Sequence, residues 1–229
     1  MTDHAHDLGA VREATDRLLS ATGKLDDTTV AEPSRLPGWS RGHVLAHLSR
    51  NADALVNVLQ GRPMYADSET RERDIERDAP RPLAEQLADV RESADLFLAA
   101  AAEPADWSRT ITMRNGVTDS ASRVPFRRRI EVELHHVDLG IGYELEDLPD
   151  EFVAREIDFL AERFDGHPAV VSTSVAADDG RLWTTGGGAE GGPVVVRGTA
   201  PALLGWLSGR RDGSALTVDS GRLPALPPL

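Results

Sequence analysis

Four stretches of this 229-residue chain repeat apolar residues at intervals of three and four. That pattern restricts the chain to folds in which long helices each bury one face against the others. Leu8, Val11, Ala14, Leu18 and Leu19 make the first stripe, in a helix expected over residues 7–25. Ser40 stands where a cap belongs for the second, whose stripe is Val44, Leu45, Leu48, Leu55 and Leu59, with Gly61 as its end. After Pro80 and Pro82 a third carries Leu83, Leu87, Val90, Ala94, Phe97 and Leu98. The fourth, over 124–141, has Pro125 in its first turn, Ser122 as its expected cap and Gly140 as its stop. Four such helices in succession predict a four-helix bundle.

The intervening segments read differently. Residues 26–38 contain Pro33, Pro37 and Gly38 and read as a connecting loop. The run from Ser68 (SETRERDIERD) is too polar to be central, and residues 108–120, with Asn115 before Gly116, fit a small hairpin. From Asp150 a helix is expected as far as Phe164, with Phe152, Ile157, Leu160 and Ala161 inside. Beyond it β-branched runs take over at 170–177, 181–185, 194–198 and 216–218, interrupted by a helix over 199–209 that buries Leu203, Leu204, Trp206 and Leu207. The expected fold class is therefore mainly α with α+β: a bundle over residues 1–148 and a small α+β domain over 149–229, joined near Leu148 and Pro149. The proline-rich tail from Leu223 should lack regular structure.

Composition narrows the partners. A net charge of −13, from 25 basic and 38 acidic residues, disfavours nucleic acid and anionic membranes, both of which need a concentrated basic face. The chain has no cysteine, so it offers neither thiolate ligands nor a thiol nucleophile of its own. Its polar, acidic beginning has no apolar run of signal-peptide length, which makes a cytoplasmic protein acting on a small molecule the default. The oligomeric state is open, with a monomer favoured.

Chemistry concentrates in the fourth helix. Glu131 and His135 are four residues apart and so project from one face a turn apart, where both can grip one ion. Asp138, three further on, can hold the second ring nitrogen of His135. His47 lies between Val44 and Leu48 on the apolar side of the second helix and supplies a third candidate ligand. Two histidines and a glutamate suit zinc with one position open. Each also has a plainer reading: His47 as a satisfied core residue, Glu131 with His135 as a polar pair on a solvated face. His43 and His136 compete for the same roles, and Glu133, aligned with His136, reads as the other half of an outer polar pair. Arg127, Arg128 and Arg129 read as a solvated face in preference to an anion site. Arg210 and Arg211 follow a helix end, where an arginine serves either the C-terminal carbonyls or a carboxylate clamp. The GxGxxG pattern at Gly186, Gly188 and Gly191 opens no helix and so offers no phosphate cradle; an inter-strand loop is the better reading.

Three segments, LPGWSRGHVLAHLSRNADAL, RRRIEVELHHVDLG and LLGWLSGRRDGS, together resemble the mycothiol-dependent maleylpyruvate isomerase family across essentially the whole chain. The resemblance implies a DinB-like four-helix bundle followed by a small α+β domain. It implies a zinc ion held by His47 of the AH motif and by Glu131 and His135 of ExxxHxVDLG, and a catalytic arginine at Arg210 of the SGR motif. It also implies mycothiol as the thiol cofactor, whose thiolate adds to maleylpyruvate and leaves to give fumarylpyruvate in gentisate degradation. Glu133 and His136 depart from the apolar residues expected at their positions. Two rival readings are a mycothiol S-transferase acting on another electrophile, and a non-catalytic metal- or small-ligand-binding protein.

Overall fold

Helix α1 (His4–Thr22) and helix α3 (Arg41–Leu59) lie on opposite corners of the first half of the chain, and each packs against both α5 (Leu83–Ala102) and α6 (Val124–Asp138). The result is a four-helix bundle closed on all four sides, as the apolar stripes predict. A computed structural model describes residues 4–103, 105–187, 192–219 and 222–228. By internal contacts the chain divides between Tyr143 and Glu144 into two units.

Two apolar clusters fill the bundle. One gathers Leu18, Val44, Leu48, Val90, Val132 and Leu139, the other Val11, Leu55, Phe97, Ile111 and Val124. Burying side chains of this size stabilises the fold by about 1.5–3 kcal/mol each before entropy is counted.

Local chemistry explains where the elements begin and end. Ser40 caps α3 by accepting the His43 N–H, while Nδ1 of His43 accepts the Ser40 N–H at 3.2 Å. Gly61 and Gly140 take positive φ just past the ends of α3 and α6, a conformation that costs glycine nothing.

Elsewhere the structure departs from expectation. A short helix α2 (Asp27–Ala31), capped by Asp26, interrupts the expected loop. Ser122 does not cap α6: a single 3-10 turn, Ala121–Arg123, precedes it, and Ser120 accepts the Ser122 N–H instead. The polar run after Asp67 is a helix, α4 (Ser68–Asp78), capped by the Asp67 carboxylate and packed on α3. Residues 108–120 do form a hairpin, β1 (Thr110–Thr112) antiparallel to β2 (Thr118–Ser120).

The second unit begins with α7 (Asp150–Phe164) and carries a four-stranded sheet in the order β4-β3-β5-β6. Strands β3 (Thr173–Ala177) and β4 (Leu182–Thr185) are antiparallel, β3 and β5 (Val194–Gly198) parallel, and β5 and β6 (Thr217–Val218) antiparallel. Helix α8 (Ala200–Leu207), capped by Thr199, packs with α7 and over β3 and β5. Gly186 bridges to Asp165 at positive φ; Gly188 and Gly191 lie outside the described residues. Among the described residues no helix is long and apolar enough to cross a membrane.

Candidate metal centre

The segment before α3 sets the floor of the site. Leu36 packs into the core, Pro37 and Gly38 turn the chain, with Gly38 at φ 79°, and the Trp39 N–H returns to the Leu36 carbonyl at 3.1 Å. That turn lays the Trp39 ring 5.5 Å from the His47 ring. It also ties down the end of α6, because the Arg35 N–H donates to the Asp138 carbonyl at 2.8 Å and Arg41 Nε to the Leu139 carbonyl at 2.9 Å. Helices α3 and α6 are thereby fixed against each other where the ligand candidates face.

There His47, Glu131 and His135 converge, with one potential ligand atom from each lying within 4.8 Å of the others. Nε2 of His47 is 2.9 Å, and Nε2 of His135 3.2 Å, from the same Glu131 oxygen, Oε2. The two imidazoles meet edge to face with centroids 4.7 Å apart. His47 is buried, whereas Glu131 and His135 keep 31 % and 14 % of their side chains exposed. The cluster is therefore closed on the protein side and open past the carboxylate.

Asp138 Oδ2 lies 2.8 Å from Nδ1 of His135. With Nδ1 held there, Nε2 is the nitrogen that faces the centre of the cluster and Glu131, the orientation a histidine ligand needs once its Nε2 proton is given up. The three groups differ in charge. Burial brings the His47 pKa down to about 4, against the opposing pull of Glu131, so this imidazole is neutral at pH 7. Burial alone would raise the Glu131 pKa, but hydrogen bonds from His135 and His47 outweigh it and hold the carboxyl well below its usual range. For His135 burial pulls down, and the hydrogen bonds to Asp138 and Glu131 win, leaving the imidazole above its ordinary value. Two imidazole nitrogens and one carboxylate oxygen at this separation fit a zinc-type ion with a vacant fourth position.

The competing residues are placed elsewhere. His43 is occupied in capping α3, and its Nε2 faces Glu76. Glu133 and His136 are not an outer pair; both are buried, because α6 packs on α1 as well as α3 and so has a second inner face. On that face Glu133 takes hydrogen bonds from Arg17 at 2.6 Å and from the Tyr143 hydroxyl at 3.1 Å, and His136 stacks on Tyr143. The three arginines are likewise not a solvated face. Arg128 and Arg129 are buried, Arg128 donating to the Leu48 carbonyl and Asn51 Oδ1, while Arg127 pairs with Asp119. Asp53 pairs with Arg50 on its own helix.

In the second unit Arg210 follows α8, and its Nη1 donates to the Ser208 carbonyl at the helix end. Arg211 forks onto Glu146 at 2.6 and 2.7 Å.

One neighbour of the site escapes sequence reasoning. Arg71 of α4 brings Nη2 to 3.2 Å from Nδ1 of His47 and also hydrogen-bonds the side chain of Tyr65. The available signal was Ile75, the single aliphatic residue of α4 and a buried one. Arg71 stands four residues before it, on the same inward face.

Comparison with known proteins bears on this geometry. The model of the mycothiol maleylpyruvate isomerase N-terminal domain matches residues 11–140, and that of the MDMPI C-terminal domain matches residues 147–228. The chain belongs to this family. Among solved structures, one titled a mycothiol-dependent maleylpyruvate isomerase superposes with a TM-score of 0.88 at 23 % identity, covering 99 % of this chain and 97 % of the other. A histidine-to-alanine mutant of that isomerase matches equally well, at 23 % identity, a TM-score of 0.88 and the same coverage. No curated protein matches in sequence. The family's two-part fold thus accounts for both units, and the LPGW, AH and ExxxHxVDLG segments are those that build the histidine–glutamate cluster.

Proposed function

We propose that this chain is a zinc- and mycothiol-dependent cis–trans isomerase that converts maleylpyruvate to fumarylpyruvate in the cytoplasm. The observation that carries the reading is the cluster itself: His47, Glu131 and His135, brought from two helices to one point and open on one side. Membership of the isomerase family supports the substrate.

His47 and His135 would hold the zinc through Nε2 and Glu131 through its carboxylate, with Asp138 fixing the tautomer of His135. When bound, zinc and mycothiol would supply a thiolate able to add reversibly to the cis double bond, so that rotation about the resulting single bond and loss of the thiolate would leave the trans acid. Because the chain has no cysteine, that sulfur has to come from outside it. Arg210 is the residue to which we assign the negative charge that addition leaves beside the substrate carbonyl. Its planar guanidinium suits either that oxygen or a carboxylate.

Incubating the zinc-loaded protein with maleylpyruvate, with and without mycothiol, tests the reading. The trans product should form only when the thiol is present and with no net loss of thiol. Stoichiometric consumption of mycothiol without isomerisation would point instead to a mycothiol S-transferase.

A further inference from the structure

Arg71 and Arg73 are the two arginines of α4 without a carboxylate partner among the described residues, and of the two Arg73 is exposed and bonds the Thr70 hydroxyl while Arg71 is half-buried. Arg77 on α4, and Arg50 and Arg81 packed near it, are matched to Asp74, Asp78 and Asp89. Among the described residues Arg71 has no hydrogen bond or ion pair to any carboxylate; its partners are the neutral His47 ring and the Tyr65 hydroxyl. In a chain with 13 more acidic than basic groups, Arg71 sits half-buried beside the ligand cluster with no carboxylate; Arg128 lacks one too but is fully buried on the Leu48 carbonyl and Asn51.

Its contact with His47 is compatible with only one proton arrangement. A guanidinium donates and never accepts, so Nδ1 of His47 must be the bare nitrogen and Nε2 the protonated one. Were His47 to ligate an ion through Nε2, its ring proton would sit on Nδ1, and Arg71 would no longer have an acceptor there. The C-terminal side of its helix is tied to α5, where Gln86 donates to the Ala79 and Arg81 carbonyls at 2.7 and 2.9 Å. Tyr65, the other partner of Arg71, lines a cavity of 650 Å³ together with Met64, Arg109, Ile111 and Arg114; Arg71 itself is not in its lining.

We propose that Arg71 is a substrate-binding residue of this site, and that it takes a carboxylate of a small dicarboxylic acid once the metal cluster is filled. The assignment rests on the reading above for the site and for the class of acid, but not for the isomerisation. Arg71 would act in binding and orienting the acid, so its loss should raise KM more than it lowers kcat.

The test uses the zinc-loaded full chain and maleate, a plain cis-dicarboxylate, with binding followed by calorimetry. R71A should weaken maleate binding by at least about tenfold, as expected for losing a charge-assisted fork. R71K, which keeps the charge without the fork, should fall between R71A and the parent, with zinc content the same in all three. Maleate binding unchanged in R71A, or no binding by the zinc-loaded parent, would overturn the assignment. So would loss of zinc in R71A, which would make the arginine a prop for His47. If R71A fails to fold, R71K decides alone: affinity equal to the parent's overturns the assignment. A parent that binds maleate through Arg71 but turns over no maleylpyruvate would leave this inference standing and remove the isomerase reading.

Discussion

At the scale of single residues, the three candidate ligands differ in how they meet a proton, and this sets how the site responds to pH. Glu131 is ionised and His47 neutral well below neutrality, so near pH 7 the proton that zinc has to displace is the one on His135. Zinc affinity should therefore fall about tenfold per pH unit below the raised His135 pKa and level off above it. Competition with a chelator at several pH values reads this directly; a flat affinity between about pH 5 and about pH 8 would contradict it. For the metal-free fold the two histidines oppose each other. The raised pKa of His135 adds stability that is complete below its unfolded value of about 6.5 and lost as pH climbs through the folded one. His47, which refuses a proton until about pH 4, costs stability as pH falls below about 6.5. The gain in Tm on adding zinc should accordingly grow with pH. Removing one ligand is the simpler probe: His47→Ala should lower bound zinc at least about tenfold by elemental analysis. Unchanged zinc in that variant would deny His47 its role.

At the scale of elements, the site draws on α3, α4 and α6, and it is in α4 and α6 that inward-facing contacts went unread in the sequence. What is legible there is local. Ser40 and Gly61, like Gly140, mark ends through capping and positive φ, effects contained within a few residues. The two inner faces of α6 are not local, since Glu133 and His136 are buried only because α1 packs on the side away from α3. Helix α4 hides for the same reason. Its charges look solvated in sequence, yet Asp78 is buried among Arg50, Arg77 and Arg81. Burial would raise the Asp78 pKa most, but those three arginines together hold it below its usual range. How closely α4 sits on α3 is set by Gly42, where a Cβ would run into the Ala79 carbonyl and crowd Gln86. Gly42→Ala should cost about 1–3 kcal/mol in denaturant unfolding, the usual penalty for overpacking. A variant as stable as the parent would show that α4 is free to shift.

At the scale of the whole molecule, each unit carries one part of the proposed chemistry. The metal ligands are all in the first, and the arginine assigned to the reacting charge is in the second. Both architectures follow from patterns the chain displays openly, 3.6-residue stripes giving way to β-branched runs after Phe164, which is why the fold class was legible from end to end. The role of Arg210 was not written in that pattern, since its guanidinium also serves the Ser208 carbonyl. Arg210→Ala should abolish turnover while leaving zinc content and Tm at parental values; full activity in that variant would remove the arginine from the mechanism. The central claim, three side chains on one cation with a corner left for an outside sulfur, is tested most directly by zinc X-ray absorption on the protein before and after mycothiol is added. The expected result is one zinc per chain with nitrogen and oxygen ligands only, gaining a single sulfur at about 2.3 Å when the thiol is present. A protein that binds no zinc, or whose zinc never acquires that sulfur, would contradict it.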